Sequence, residues 1–190
     1  MNEQDLLLDC LRRLNRGGFR YMLTGSMASN AWGIPRTTHD LDFVLQLPPS
    51  QVDRFCALFE SEDYYVGAEA VRQAFQPPHQ FNVLHLPSGL KIDFWLLRPV
   101  PFERAMFERR VHDHWLDTPV VLATAEDVLL HKLLWNRITP SDRQTGDVAG
   151  IVAVQGERLD REYLRRWAGE LGLTEDLEKA LSGGFKPKAT

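Results

Sequence analysis

The chain has 190 residues, 44% of them hydrophobic, and a formal net charge of -4, which is enough to bury a substantial core as one domain or as one domain with a helical extension. The acidic balance gives no basic footprint for broad attachment to nucleic acid. With only two cysteines, Cys10 and Cys56, and no metal-ligand companion beside either, a disulfide framework is not expected.

Residues 4–16 carry Leu6, Leu7, Cys10, Leu11 and Leu14 at helical spacing and predict a helix ending near Gly17-Gly18. A short apolar strand over 21–24 leads into Gly25 and an Ala-rich helix over 26–32. A strand over 40–47 stops at Pro48-Pro49-Ser50, and Val52, Phe55, Cys56, Leu58 and Phe59 predict a helix. Phe81 to Leu86, the Pro87-Ser-Gly89 turn and a strand over 90–97 read as a hairpin. A further strand is expected over 118–122, then helices over 125–137, 142–154, 160–170 and 174–181. Strands early and helices late indicate an α/β (α+β) core with a helical C-terminal part. The expected division is a core over 1–117, a helical extension over 118–182 and a loose tail over 183–190. The acidic N-terminus lacks an apolar signal region and no run approaches membrane-spanning length, so a cytoplasmic protein with no membrane partner is expected.

The informative residues are acidic. Asp40 and Asp42 lie in Arg36-Thr-Thr-His-Asp-Leu-Asp-Phe-Val-Leu, and Asp93 lies in Leu90-Lys-Ile-Asp-Phe-Trp-Leu-Leu. Side chains alternate along a strand, so Asp40 and Asp42 share a face while Leu41, Phe43 and Leu45 take the other. The same parity groups Lys91, Asp93 and Trp95 in front of Leu90, Ile92, Phe94 and Leu96. Carboxylates brought together resist ionisation unless a cation joins them. A divalent ion with a taste for hard oxygen ligands, Mg²⁺ above all and Mn²⁺ as a substitute, would resolve the conflict. Exposed N–H groups at the start of the helix opened by Gly25 and Ser26 favour phosphate, although a Gly-Ser turn alone is also an ordinary helix cap.

The order of Gly25-Ser26, a short helix, Asp-x-Asp on a strand and a third Asp on a later strand resembles the DNA polymerase β-type nucleotidyltransferase superfamily. Thr24 to Phe43 is especially similar to small bacterial members, the abortive-infection and type IV toxin-like nucleotidyltransferases. The resemblance covers residues 20–97 well and extends more loosely over Thr124 to Arg137 and Asp142 to Asp147. It implies a nucleotidyltransferase-like mixed sheet flanked by helices, with Gly25 and Ser26 holding the triphosphate and Asp40, Asp42 and Asp93 acting as catalytic and metal residues. Arg36 and Thr38 beside the acids, Lys91 on their face, and Lys132 in the helical part are further nucleotide-binding candidates. Asp147 matches a position where some toxin-like relatives carry an acid. Arg36 either grips phosphate or pairs with an acid to fix the turn, and Lys91 is either a phosphate contact or a solvated strand-edge lysine.

Other readings are weaker. Asp-x-Asp occurs in haloacid dehalogenase-like phosphatases, but the polar approach Ile34 to His39 replaces the buried strand they require, and glycosyltransferases generally need a larger nucleotide-binding domain. His112 and His114 share a strand face without a third zinc ligand. Arg161, Arg165 and Arg166 read as a solvated helix edge. The expected activity is transfer of a nucleoside monophosphate from a nucleoside triphosphate to a hydroxyl of RNA, a protein or a small molecule, with a cognate antitoxin as a further partner. The alternative is a non-catalytic nucleotide-binding or toxin-antitoxin partner protein of the same fold.

Overall fold

The computed structural model describes residues 1–187. In chain order the elements are α1 (Glu3–Arg16), β1 (Arg20–Leu23), α2 (Gly25–Trp32), β2 (Leu41–Gln46), α3 (Val52–Ala57), β3 (Tyr64–Tyr65), α4 (Ala68–Gln73), β4 (Gln80–His85), β5 (Leu90–Leu96), α5 (Pro101–Arg109), β6 (Val111–Trp115), β7 (Thr118–Leu122), α6 (Ala125–Ile138), α7 (Asp142–Gln155), α8 (Arg161–Leu171) and α9 (Thr174–Leu181). They form two compact units, one of Met1–Thr24 with His39–Leu122, the other of Gly25–Thr38 with the chain from Ala123 onward. This division differs from a single cut near residue 118. β7 pairs with both β1 and β6 and so completes the sheet, while Gly25–Thr38 groups with the late helices.

The first unit is a mixed α/β arrangement around a seven-stranded sheet in the order β3-β4-β5-β2-β1-β7-β6. β2 runs parallel to β5 and β1 parallel to β7, and the other pairs are antiparallel. α1 forms where expected because an Asn2–Asp5 capping box satisfies its first turn. Its stripe of Leu6, Leu7, Cys10, Leu11 and Leu14 is buried. On one face of the sheet Phe81, Phe94 and Phe43 stand side by side on β4, β5 and β2, in register. Their ring centroids are 5.3 Å and 5.5 Å apart in stacked geometry. Phe55 of α3 meets Phe94 edge-on at 5.2 Å and Phe81 at 5.3 Å, so α3 covers this row. β3, α4 and α5 were not among the expected elements, the first because two residues carry too little pattern to read, whereas β6 contains the strand face of His112 and His114.

The second unit is helical. α6 begins at Thr124, whose hydroxyl accepts from the Asp127 backbone. The buried Asp127 carboxylate is satisfied in turn by the Thr124 hydroxyl at 2.7 Å and the Tyr163 hydroxyl of α8 at 2.6 Å, as a buried acid must be. Gly33 and Gly150 let the segment after α2 lie against α7: a Cβ on Gly33 would sit 2.9 Å from the Ile151 nitrogen. The expected loose tail is only partly so. Gly183 and Gly184 donate to carbonyls of Ala180 and Lys179, and Phe185 lies under the Lys179 ammonium at 4.9 Å. Residues 188–190 lie outside the described residues. Among the described residues no helix is long and apolar enough to cross a membrane.

Phe94 is fully buried at the centre of the aromatic row. Phe94→Ala should therefore cost about 3–5 kcal/mol in urea unfolding, and a loss under about 1 kcal/mol would show that the row does not organise the core.

Candidate functional site

In the sheet unit, β2 and β5 pair in parallel with Asp42 directly beside Asp93, and β4 pairs antiparallel with β5 so that Asn82 faces Asp93 from the other side. Asn82, Asp93 and Asp42 thus form a polar row, and the next residue pair along each strand contributes the Phe81, Phe94, Phe43 row on the opposite face. Asp40 stands just before β2, exposed and two residues from Asp42, outside the strand whose alternation fixes the face of Asp42. The main chain ties β1 to this point as well, with the Thr24 N–H donating to the Asp42 carbonyl at 2.9 Å.

The Asp93 side chain is only 8% exposed, and an isolated charge there would be costly. It is held from both sides. The Lys91 ammonium donates to Oδ2 at 2.7 Å, and the Asn82 amide, oriented with its NH₂ toward its acceptors, donates to Oδ1 at 2.8 Å. The Lys91 pKa is raised, first by the hydrogen bond to Asp93, which outweighs the opposing effect of burial, and then by lesser contributions from the charges of Asp93, Asp40 and Asp42. One ammonium therefore senses all three carboxylates.

Among the described residues no group of three or more His, Cys, Asp or Glu side chains forms a preformed metal cage, and this applies to His112 and His114 of β6 too. The donor chemistry nevertheless suits Mg²⁺, which takes one or two carboxylates and completes its shell with water and phosphate oxygens. Asp42 and Asp93, in register on paired strands, supply such a carboxylate pair.

In the helical unit, Gly25 opens α2 with φ at 63°, a conformation strained for any residue with a Cβ. Ser26 follows, buried. Arg36 donates to both Asp147 oxygens, Nε to Oδ1 at 2.6 Å and a terminal nitrogen to Oδ2 at 2.9 Å, and that terminal nitrogen also reaches the Ser26 hydroxyl at 2.9 Å. The Lys132 ammonium lies 2.8 Å from Asp147 Oδ2. Arg36 is paired with an acid, and the acid is the distant Asp147. Burial pushes the Asp147 pKa up, but the Arg36 hydrogen bonds and the Lys132 charge outweigh it and hold the carboxyl below its ordinary value. The cluster sets two cations against one carboxylate at the turn that begins α2. Thr38 closes the same segment, half-buried. The arginines of α8 behave as a solvated edge, with Arg161, Arg165 and Arg166 paired to Glu157, Glu178 and Glu170.

Sequence reasoning missed Asn82. Counting back from the Pro87-Ser-Gly89 turn, with His85 opposite Leu90, would have placed it against Asp93.

Removing the Asp147 carboxylate leaves two cations at buried positions without it, so Asp147→Ala should cost about 3 kcal/mol or more in chemical unfolding. A depressed acid contributes stability above its unfolded pKa and loses it as pH falls through the folded one. The stability gap between wild type and Asp147→Asn should then narrow as pH is lowered from about 6 to about 3; a gap that stays constant or widens would mean that the carboxylate is not held ionised.

No protein-family model and no curated protein matches the chain. Among solved structures it is similar to an antigenic nucleotidyltransferase-like protein from Paracoccidioides brasiliensis, with a TM-score of 0.58, 17% identity and coverage of 99% of this chain and 94% of that one. It is also similar to the antibiotic-resistance factor ANT(2'')-Ia, with a TM-score of 0.55, 10% identity and coverage of 94% and 98%. At these identities the likeness is one of fold: the chain has the mixed sheet flanked by helices of nucleotidyltransferase-like proteins.

Proposed function

We propose that this protein is a Mg²⁺-dependent nucleotidyltransferase that moves a nucleoside monophosphate from a nucleoside triphosphate to a hydroxyl of an RNA, protein or small-molecule acceptor, in the manner of small bacterial toxin-like enzymes acting in the cytoplasm beside a cognate antitoxin. The observation that carries the reading is the in-register pair of Asp42 and Asp93 on one sheet face, with Asp40 two residues before Asp42. The fold shared with nucleotidyltransferase-like proteins supports it.

Asp40, Asp42 and Asp93 hold the metal, for which Mn²⁺ is a substitute. When bound, the ion neutralises the triphosphate and favours in-line attack at the α-phosphorus. The residues of the chain do the rest. Gly25 and Ser26 offer backbone N–H groups to phosphate, and Arg36, Thr38, Lys91 and Lys132 contact the nucleotide. Arg36 and Lys132 do so from a cluster in which Asp147 fixes their orientation. Asp93 receives the acceptor's proton as the acceptor oxygen bonds to the α-phosphorus. The bond from that phosphorus to the bridging oxygen breaks, and pyrophosphate leaves. The Asn82 hydrogen bond to Oδ1 orients the Asp93 carboxylate for that transfer.

Two variants separate binding from chemistry. Asp42→Asn should abolish Mg²⁺-dependent triphosphate binding in calorimetric titration while leaving the fold intact. Asp93→Asn should still bind nucleotide but lose about 10² or more in transfer rate. Transfer is read by incubating the protein with each labelled nucleoside triphosphate, Mg²⁺ and cell extract, then identifying the labelled acceptor. Nucleotide and metal binding without any labelled acceptor or released pyrophosphate would favour a non-catalytic binding protein.

A further inference from the structure

Lys91 and Asp93 are two residues apart on β5, so both side chains leave the same sheet face. A lysine at a half-exposed position normally extends into water. This one, with 47% of its side chain exposed, bends along the strand to place its ammonium 2.7 Å from Asp93 Oδ2. Asn82 takes the other oxygen, Oδ1. The two partners differ in kind. The Asn82 amide is a neutral donor on a paired strand and fixes the plane of the carboxylate. The ammonium is a compact charge on a flexible four-carbon stem that can swing away without disturbing the sheet.

We propose that Lys91 is a built-in counter-cation of the acid row, holding Asp93 in place of a divalent ion and leaving Oδ2 when that ion arrives. The proposal rests on reading Asp40, Asp42 and Asp93 as metal ligands. Two cations near one set of carboxylates repel each other, so each weakens the binding of the other. The native lysine therefore keeps intrinsic metal affinity low. When the metal comes together with a triphosphate, the displaced ammonium has an anionic partner to move to, which couples metal binding to nucleotide binding. Asn82 keeps Asp93 oriented throughout, because its hydrogen bond is to the oxygen that the ammonium does not use.

The experiment is a Mn²⁺ titration of the full chain without nucleotide, following the electron paramagnetic resonance signal of free Mn²⁺, for wild type, Lys91→Gln, Lys91→Arg and the double variant Lys91→Gln with Asp42→Asn. Lys91→Gln should bind Mn²⁺ about tenfold more tightly than wild type, Lys91→Arg should stay near wild type, and the double variant should lose the gain. In thermal unfolding, Lys91→Gln should melt lower than wild type without metal and gain more from added Mn²⁺. Unchanged or weaker Mn²⁺ binding by Lys91→Gln, or a gain that survives Asp42→Asn, would overturn the proposal. The titration contains no nucleotide or acceptor, so its failure is distinct from failure of the transferase reading, which the labelling assay judges. Tighter Mn²⁺ binding by Lys91→Gln beside a failed labelling assay would support the counter-cation and remove only the chemistry.

Discussion

The register of β4, β5 and β2 is the constraint on which the candidate site depends. Phe81, Phe94 and Phe43 stack in a row on the covered face, and because strand side chains alternate, the neighbouring positions Asn82, Asp93 and Asp42 are forced into a row on the other face. A slip of one residue would bury the carboxylates and expose the rings. The hydrophobic and aromatic contacts of one side therefore hold the acids of the other side in line. Like charges in such a row do not gather by themselves; they are held there by packing that does not involve them.

Charge compensation follows two patterns. In the sheet unit one ammonium and one neutral amide hold the Asp93 carboxylate. In the helical unit Arg36 and Lys132 share one carboxylate, that of Asp147. Asp127, by contrast, has hydroxyl partners at both oxygens and serves to join α6 to α8.

Some irregularities in the chain have plain structural causes. The left-handed backbone at Gly25 sets the turn from β1 into α2. Gly33 and Gly150 permit a backbone approach that a Cβ would block. These positions were visible in the sequence as glycines, but only their surroundings show which of them matter for packing.

The sequence by itself determined what depends on local periodicity and chemistry. The helix over Glu3–Arg16, the β4–β5 hairpin, β7 and the four late helices lie where apolar spacing and turn residues put them, within a residue or two at most ends. The shared face of Asp42, Asp93 and Lys91 was legible because strand parity needs no knowledge of the rest of the chain. The tertiary structure alone decided the long-range partners. Arg36 and Asp147 are separated by 111 positions, and no local pattern selects one acid over another across such a distance. The same holds for the insertion of Gly25–Thr38 into the helical unit and of β7 into the sheet. Short elements such as β3 and α4 escaped because so few residues carry no readable period, and their conformation is set by the neighbours they pair with or pack against.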